Sequence, residues 1–334
     1  MDRSGNRHSE ATLKTTATSP ARIPASAIKR RMLVLAGPHS GGGLVRRLLG
    51  GYPGVYDFGE SGVFSELSGQ PRRYRPWTMV GLSIGRERRR LGELLDRAYA
   101  ERAADAPALP PRETRLRSAF AGAVATLDRV ALASGCRSWV EHTPGLALQA
   151  RPLERLIPRL RIVHVIRDGR DVVASHCAQT AKQRGRYSRA NDARWAIERW
   201  NRALAVHARC FGRSGHSFVF YEDLIHYPER ELTRLAHECG LNLEAGPTLE
   251  VVEDVNVAPP RAARSRFREL FDVNGRRRIE ARLDLECYGA LAERLQSLRA
   301  SVPQIISVAP QRRAMGKNSD EQCPVVRDQD SSAR

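Results

Sequence analysis

The chain has 334 residues and a formal net charge of +18, and 41% of its residues are hydrophobic, enough for one large core. All but four of the 55 cationic residues are arginine, and they are scattered along the chain. A nucleic-acid-binding protein clusters its cations where they displace counterions from a phosphate backbone. The scattered pattern therefore argues against a nucleic-acid partner, while a basic surface still attracts a small polyanion.

The two ends of the chain and the distribution of its apolar residues indicate how many domains it has and where they begin and end. Residues 1–30 and 306–334 are polar and unpatterned, which predicts a disordered basic N-terminus and a disordered C-terminal tail. Residues 31–305 then form one α/β domain with a helical insertion at about 65–135. There is no run of 18 apolar residues and no apolar signal segment, so we expect a cytoplasmic protein with no membrane partner. The six cysteines lack metal-ligand spacing, and no metal is expected.

The first predicted element is a buried strand followed by a glycine-rich turn, in LVLAGPHSGGGL from Leu33 to Leu44. The next residues have helical spacing, so the segment predicts a strand, a tight loop and a helix. Backbone N–H groups at a helix N-terminus, brought close by glycines, form an anion site. The nucleotide-triphosphatase signature G-x-x-x-x-G-K-[ST] fails, because Gly43 and Leu44 follow Gly42. By itself the loop fits either an anion site or a plain turn.

The middle of the chain predicts mainly helices. The turn-rich GYPGVYDFGESGVF after the first helix is expected to be a loop. Helical spacing with charges on the outer face follows at about 84–106 and 113–134, separated by the break APALPP. A short strand around Ser138–Val140 leads to EHTPG, and 147–159 is expected to be a helix that ends at Pro158.

The second half alternates strands and helices. RIVHVIRD predicts a buried strand, GRDVVASHCAQ resumes helical spacing, and a long helix is expected at 190–211. HSFVFYEDL predicts a strand that ends in acidic residues, and Pro228 opens a helix at 229–239 that Gly240 closes. This alternation predicts an α/β fold, P-loop-like, with three layers (α/β/α) around a central, mostly parallel sheet. In such sheets ligands bind at the carboxyl ends of the strands.

A second candidate anion site follows the RIVHVI strand. Arg167 stands at the strand end and Ser175 lies eight residues further on, so both can face one anion. A guanidinium gives two directed bonds to a phosphate, and a hydroxyl adds a third. Asp168 and Asp171 are expected to cap the helix and to pair with Arg170. A ligand with two separated phosphate groups would use both sites.

These motifs resemble, in order and spacing, the sulfotransferase family that uses 3′-phosphoadenosine 5′-phosphosulfate (PAPS). The resemblance is carried by GPHSGGGLVRRLL, EHTPG, HVIRDGRDVVASH and FVFYEDLIHYPERELTRLAHECGL, and it extends over about 31–300. In that family the first loop wraps the 5′-phosphosulfate through backbone amides, and an arginine and a serine of the later motif hold the 3′-phosphate.

The resemblance implies a role for each matching residue. Glu60 corresponds to the glutamate base of the tyrosylprotein and bacterial branches, and we expect partial burial to raise its pKa. His39 stands where the family has a cation on the leaving phosphate. Arg266 lies in a segment that the family places over the 3′-phosphate, although in an arginine-rich protein a solvated arginine is the favoured interpretation. The expected nucleotide-binding residues are Gly37, Pro38, His39, Ser40, Gly41, Gly42, Gly43, Arg167, Ser175 and Arg266.

The chain departs from the family where PRSGTT or PKSGTT is usual, because it has PHSGGG. His39 replaces the cation, and a protonated imidazole beside a phosphosulfate would restore the charge. Gly42 and Gly43 replace two hydroxyls, and each lost charged hydrogen bond is worth about 1.5–3 kcal/mol. His142 stands where the family usually has lysine.

Three hypotheses follow. The first is a sulfotransferase that moves a sulfuryl group from PAPS to a hydroxyl of a small molecule, such as a bacterial secondary metabolite, and releases adenosine 3′,5′-bisphosphate. The second is a weak or inactive homologue that only binds the nucleotide. The third, a P-loop kinase, is disfavoured by the absent Lys-Ser/Thr pair. The sequence leaves the acceptor and the oligomeric state open.

Overall fold

The computed structural model of the chain describes residues 27–68, 80–83, 85–100, 106–184, 189–243, 246–247 and 261–301. Most of the predicted disordered N-terminus and all of the predicted C-terminal tail lie outside these ranges, as do parts of the predicted insertion. The ordered structure includes Ile28, which is buried, and the first strand begins at Arg30.

The described residues form one five-stranded parallel sheet in the order β2-β3-β1-β4-β5. This confirms the α/β class and the parallel central sheet that the sequence predicts. From β1 at the centre, the chain passes to β2 at one edge and returns to β3 between β2 and β1. It then adds β4 and β5 on the other side of β1. The strands are β1 Arg30–Ala36, β2 Val55–Asp57, β3 Ser138–Glu141, β4 Leu160–Ile166 and β5 His216–Phe220.

Helices connect the strands and cover both faces of the sheet. The predicted closure of the helix that Pro228 opens is confirmed, since Gly240 has a left-handed φ of 70° directly after it. A short 3₁₀ helix, Leu146–Gln149, lies directly before the α-helix that begins at Ala150. The helices are α1 Gly42–Gly50, α2 Val63–Ser68, α3 Glu87–Ala98, α4 Leu116–Ala133, α5 Ala150–Leu156, α6 Gly169–Arg184, α7 Arg189–Cys210, α8 Tyr221–His226, α9 Pro228–Cys239, α10 Arg261–Leu270, α11 Val273–Glu280 and α12 Leu285–Ser301.

Two predicted element boundaries are wrong. GYPGVYDFGESGVF is not only a loop, because it contains the edge strand β2 and the start of α2. Only three residues of β2 pair with β3, and so short a strand lacks a clear alternation in the sequence. The strand predicted in HSFVFYEDL ends at Phe220, and YEDLIH forms α8, whose first turn contains the acidic residues. Acidic residues in the first turn of a helix interact favourably with its N-terminal dipole.

The core consists of two layers on opposite faces of the sheet. Met32 and Val34 of β1 face a cluster that includes Leu48 of α1 and Leu235 of α9. Leu33 and Leu35 face the other cluster, where α4 and α7 pack. Because side chains alternate along a strand, β1 buries both faces and is apolar almost throughout, as expected for a central parallel strand.

This topology places the candidate site. The segments after β1, β3, β4 and β5 all leave the same edge of the sheet, and the strand order reverses at β1. Ligands of open α/β sheets bind at such a switch point. Among the described residues, no helix has the length and apolarity needed to span a membrane.

Candidate functional site

The loop between β1 and α1 has a backbone that only glycine accommodates at its end. Gly41 precedes α1 with a φ of 89°, and a Cβ on it would lie 2.3 Å from Cδ2 of Tyr221. His39 also has a positive φ, 61°. The amide of Ser40, which is buried, donates to the carbonyl of Gly37 over 3.2 Å. The loop is therefore a tight turn packed against the start of α8.

The N-terminus of α1 is suited to an anion. The first N–H groups of an α-helix have no partner within the helix, and here they belong to residues 42–44. The first turn of α1 contains no acidic residue. Together with the positive end of the helix dipole, these donors attract negative charge. These features make Gly37–Gly43 a candidate anion site.

The side chain of Arg167 points towards this loop. Its Nη1 donates to the carbonyl oxygen of His39 over 3.0 Å, and its guanidinium lies 4.4 Å from the ring centroid of Tyr221. The indole of Trp200 donates to the carbonyl of Arg167 over 2.9 Å and fixes the backbone. Within the described part of the chain, Nε of Arg167 is buried and has no hydrogen-bond partner. A buried donor of this kind is costly unless a ligand satisfies it.

In the described part of the chain, no carboxylate forms an ion pair or hydrogen bond with the guanidinium of Arg167. Asp168 accepts from the backbone amide of Arg170 at 2.9 Å and from its guanidinium at 2.5 Å, which is the capping and pairing predicted for it. Glu222 accepts from the amide of Asp168 at 2.9 Å. These carboxylates hold the turn after β4 in place.

Ser175 and Arg266 differ in their position relative to the loop. Ser175 is half-buried on α6, beside His176, whose Nδ1 lies 3.1 Å from Nε2 of His39. The helix that carries Ser175 therefore contacts the loop. Arg266 is exposed on α10, and within the described ranges it makes no hydrogen bond or ion pair. The structure brings together the loop, Arg167 and the helix of Ser175, and among the described residues it shows no contact of the Arg266 side chain with them.

His39 is a neutral side chain in the protein without ligand. Burial, together with His176 and Arg167, lowers its pKa to about 4. An imidazole with this pKa is neutral near neutral pH, so the protonated form expected beside a phosphosulfate requires a bound anion that raises the pKa. The positive charge beside the loop comes from Arg167.

His142 fills the space that a side chain at residue 42 would need. A Cβ on Gly42 would lie 2.4 Å from Cε1 of His142 and 2.6 Å from its Nε2. Nδ1 of His142 lies 2.8 Å from the carbonyl oxygen of Val34 and donates to it, since a carbonyl only accepts. Nε2 of the neutral ring therefore carries a lone pair beside the loop. The sequence shows that Gly42 and His142 both depart from the family pattern, but it does not show that these two residues are in contact.

Protonation of His142 is expected to couple folding to pH. Burial lowers its pKa from the ordinary 6.5 to about 4, so between these values the unfolded chain binds the proton and the folded chain does not. Stability is therefore lost as the pH falls, by about 2 kcal/mol for this residue between pH 7.5 and pH 5. Urea unfolding of His142→Gln should show a correspondingly weaker pH dependence. His237→Gln, exposed on α9, is the matched control, and an equal change in both variants would contradict the prediction.

Two glutamates near β3 differ in burial. Glu60 is exposed, so the partial burial expected for it is wrong. The buried carboxyl is Glu141, which accepts from Ser61 at 2.9 Å and from the hydroxyl of Thr143. Burial raises the pKa of Glu141 to about 7, although both hydrogen bonds oppose the change. Sequence reasoning missed Glu141, and its position next to His142 in EHTPG is the only signal for it.

Comparison with known families decides the assignment. A family model described as the sulfotransferase family matches residues 32–245, which is more than half of the chain. The chain belongs to the sulfotransferase family. The match includes the loop, EHTPG, Arg167 and Ser175, so the family-level resemblance found in the sequence is confirmed.

Several solved sulfotransferases have partial structural similarity to this family member. The sulfotransferase domain of the Synechococcus PCC 7002 olefin synthase is 20% identical, with 74% of this chain and 82% of that chain covered and a TM-score of 0.43. A sulfotransferase from Alicyclobacillus acidocaldarius is 13% identical, with 72% and 95% covered and a TM-score of 0.42. The sulfotransferase domain of the curacin biosynthetic pathway is 16% identical, with 70% and 80% covered and a TM-score of 0.45. No curated protein matches the chain.

Proposed function

We propose that this protein is a PAPS-dependent sulfotransferase. It would move a sulfuryl group from PAPS to a hydroxyl of a small-molecule acceptor in the cytoplasm and release adenosine 3′,5′-bisphosphate. The observation that carries the proposal is Nε of Arg167, which is buried beside the N-terminus of α1 and has no hydrogen-bond partner among the described residues. This donor and the N–H groups of residues 42–44, which have no partner within the helix, suit a ligand with two phosphate groups.

The residues around the loop fit the nucleotide. The loop Gly37–Gly43 would surround the 5′-phosphosulfate with backbone amides as donors. Pro38 has no N–H and the amide of Ser40 donates to the carbonyl of Gly37, so these two residues would shape the loop. Arg167 and Ser175 would bind the 3′-phosphate. Arg266 remains a weaker candidate, supported by the packing of α10 against α6. PAPS when bound supplies the sulfuryl group on a mixed anhydride.

Transfer requires stabilisation of the charge that develops on the leaving phosphate. The amides of residues 42–44 are fixed donors at the proposed 5′-phosphate position, and such donors need no rearrangement during the reaction. His39 is neutral in the free protein, but a bound polyanion raises the pKa of an adjacent imidazole and favours its charged form. His39 would then donate to the leaving phosphate.

Two groups are candidates for the base that takes the proton of the acceptor hydroxyl. Glu60 is the candidate that the family resemblance implies, and its exposure leaves it on the solvent side of the site. His142 has an unprotonated Nε2 beside Gly42, close to the amides that would hold the phosphosulfate. A base must be within hydrogen-bond reach of the proton it removes. We propose His142 for this role, and Glu60 as the competing assignment.

The second candidate function is a nucleotide-binding homologue with little or no turnover. It is favoured by the neutral His39 and by the two hydroxyls that are missing at Gly42 and Gly43. A P-loop kinase remains the least favoured candidate, because Gly43 and Leu44 stand where it needs Lys and Ser/Thr.

Nucleotide binding and turnover are tested separately. Adenosine 3′,5′-bisphosphate at 100 times its Kd is expected to raise the unfolding free energy by about 2.7 kcal/mol, measured as a shift in Tm. Radiolabelled PAPS is then incubated with a panel of phenols, sugars and amino-alcohols. Labelled product supports the sulfotransferase, whereas a Tm shift without product supports the binding homologue. A folded protein without a Tm shift would contradict both, and magnesium-dependent ATP hydrolysis would revive the kinase.

Once an acceptor is found, the base can be assigned with two variants. His142→Gln is expected to lower kcat by about 10²–10⁴, the usual contribution of a general base, and Glu60→Gln to lower it much less. Equal affinity of both variants for adenosine 3′,5′-bisphosphate would show that the nucleotide site is intact. The reverse order of kcat values would return the role to Glu60.

A further inference from the structure

A cluster of metal-ligating side chains lies under α7, outside the site described above. His164 of β4, Cys210 at the end of α7 and His216 at the start of β5 each offer one ligand atom, and these atoms lie within 4.8 Å of one another. His164 and Cys210 are almost fully buried. Cys210 is a free cysteine. Buried imidazole nitrogen and sulfur are the donors that zinc prefers.

The spacing of the three atoms suits an ion of this size. Three atoms within 4.8 Å of one another leave a central point no more than about 2.8 Å from each, whereas zinc bonds are about 2.0–2.1 Å to nitrogen and about 2.3 Å to sulfur. Binding therefore needs inward movements of less than about 1 Å. Nε2 of His164 and Nδ1 of His216 lie 2.8 Å apart, and tetrahedral coordination would separate them to about 3.3 Å.

The outer nitrogens of both imidazoles lie near groups of the kind that orient metal ligands. Nδ1 of His164 lies 2.7 Å from Nδ1 of His207. Nε2 of His216 is buried and lies 3.6 Å from Oε1 of Glu154, and it has no hydrogen-bond partner in the described ranges. A metal-bound histidine usually donates its other N–H to a carboxylate or another acceptor. Glu154 is held in place by Arg213, whose Nη2 donates to both its oxygens at 3.0 Å.

We propose that His164, Cys210 and His216 bind one Zn²⁺ ion, with water as the fourth ligand. The thiolate and the carboxylate of Glu154 would balance the charge of the ion. Binding would transfer the thiol proton of Cys210 to solvent. The proposal goes beyond the sulfotransferase function and departs from the expectation of no metal. The ligands come from two strands and a helix that are distant in sequence, so no local motif predicts the site.

The position of the cluster points to a structural role. His207 contacts His164. It also lines a small cavity behind the loop Gly37–Gly43, together with Gly37, Ser40 and Arg167. Trp200, which holds the backbone of Arg167, lies on the same helix as His207 and Cys210. An ion would fix the end of α7 to β4 and β5 behind the site, without contact with the substrates.

Metal content tests the proposal directly. The full chain, purified without a histidine tag and dialysed in metal-free buffer, is expected to contain about one zinc per chain by plasma mass spectrometry. Cys210→Ser should reduce the content at least about fivefold, and Cys177→Ser, which changes another buried cysteine, should retain it. After zinc removal, Co²⁺ should give a thiolate-to-cobalt absorption band in the wild type and in Cys177→Ser only.

Other results would overturn the proposal. Wild-type protein that contains no metal and takes up no cobalt would do so, as would equal metal in the two cysteine variants. His216→Gln is the second test if circular dichroism shows that Cys210→Ser does not fold, and it should lose the metal as well. Binding of adenosine 3′,5′-bisphosphate is measured separately, so failure here leaves the proposed function untouched.

Discussion

Replacement of Arg167 by alanine is expected to weaken the binding of adenosine 3′,5′-bisphosphate by about 100- to 1,000-fold, which corresponds to about 3–4 kcal/mol. The guanidinium contacts the loop through the carbonyl of His39 and keeps a buried Nε without a partner in the described structure. Alanine removes both this donor and the charge beside the loop. Isothermal titration calorimetry on the folded variant measures the effect.

Two further arginine variants separate charge from geometry. Arg167→Lys keeps the charge but loses the planar fork, so it should bind with an affinity between those of the wild type and the alanine variant. Arg194→Ala removes an exposed arginine paired only with Glu198 on the same helix, and it should bind as the wild type does. Equal affinities of Arg167→Ala and Arg194→Ala would show that the proposed 3′-phosphate site is wrong.

Adjacent glycines in the loop are expected to respond in opposite ways to the same substitution. Gly42→Ala places its Cβ 2.4 Å from His142 and 2.8 Å from Cβ of Ala36, and such overpacking costs about 1–3 kcal/mol of unfolding free energy. Gly43→Ala meets nothing within 4 Å and should gain about 0.5–1 kcal/mol from the lower entropy of the unfolded chain. Urea unfolding of both variants measures these changes.

A double-mutant cycle tests whether Gly42 and His142 depend on each other. In the background of His142→Ala, the substitution Gly42→Ala should be less destabilising by about 1–2 kcal/mol, because one of the two clashes is gone. The contact with Ala36 remains, so the rescue is partial. Additive effects of the two substitutions would show that the imidazole does not limit the space at residue 42.

Much of the fold could be predicted from the sequence, because its central elements have strong local signals. β1 and β4 are continuous apolar runs, and α9 has a proline at its start and a glycine at its end. The edge strand β2 was missed because three residues give no periodicity. The end of β5 was placed too late, because tyrosine at residue 221 suits a strand while the chain already turns into α8 there.

The candidate site could be predicted only in part. Motif spacing was enough to select the loop, Arg167 and Ser175. The burial of Glu141, the exposure of Glu60 and the neutral His39 depend on side chains from other elements, which motif spacing does not reveal. The contact between His142 and Gly42 joins positions that are 100 residues apart in sequence.

The sequence by itself determined the family, the parallel sheet and the order of the candidate anion-binding segments, since these depend on local patterns of apolar residues, glycines and charges. The tertiary structure decided which groups are charged, which are buried and which touch. Desolvation and contact distances arise only when β3, β4, α6 and α7 pack around the loop. For that reason the neutral state of His39, the exposure of Glu60, the proposed role of His142 and the cluster at Cys210 emerged from the folded chain.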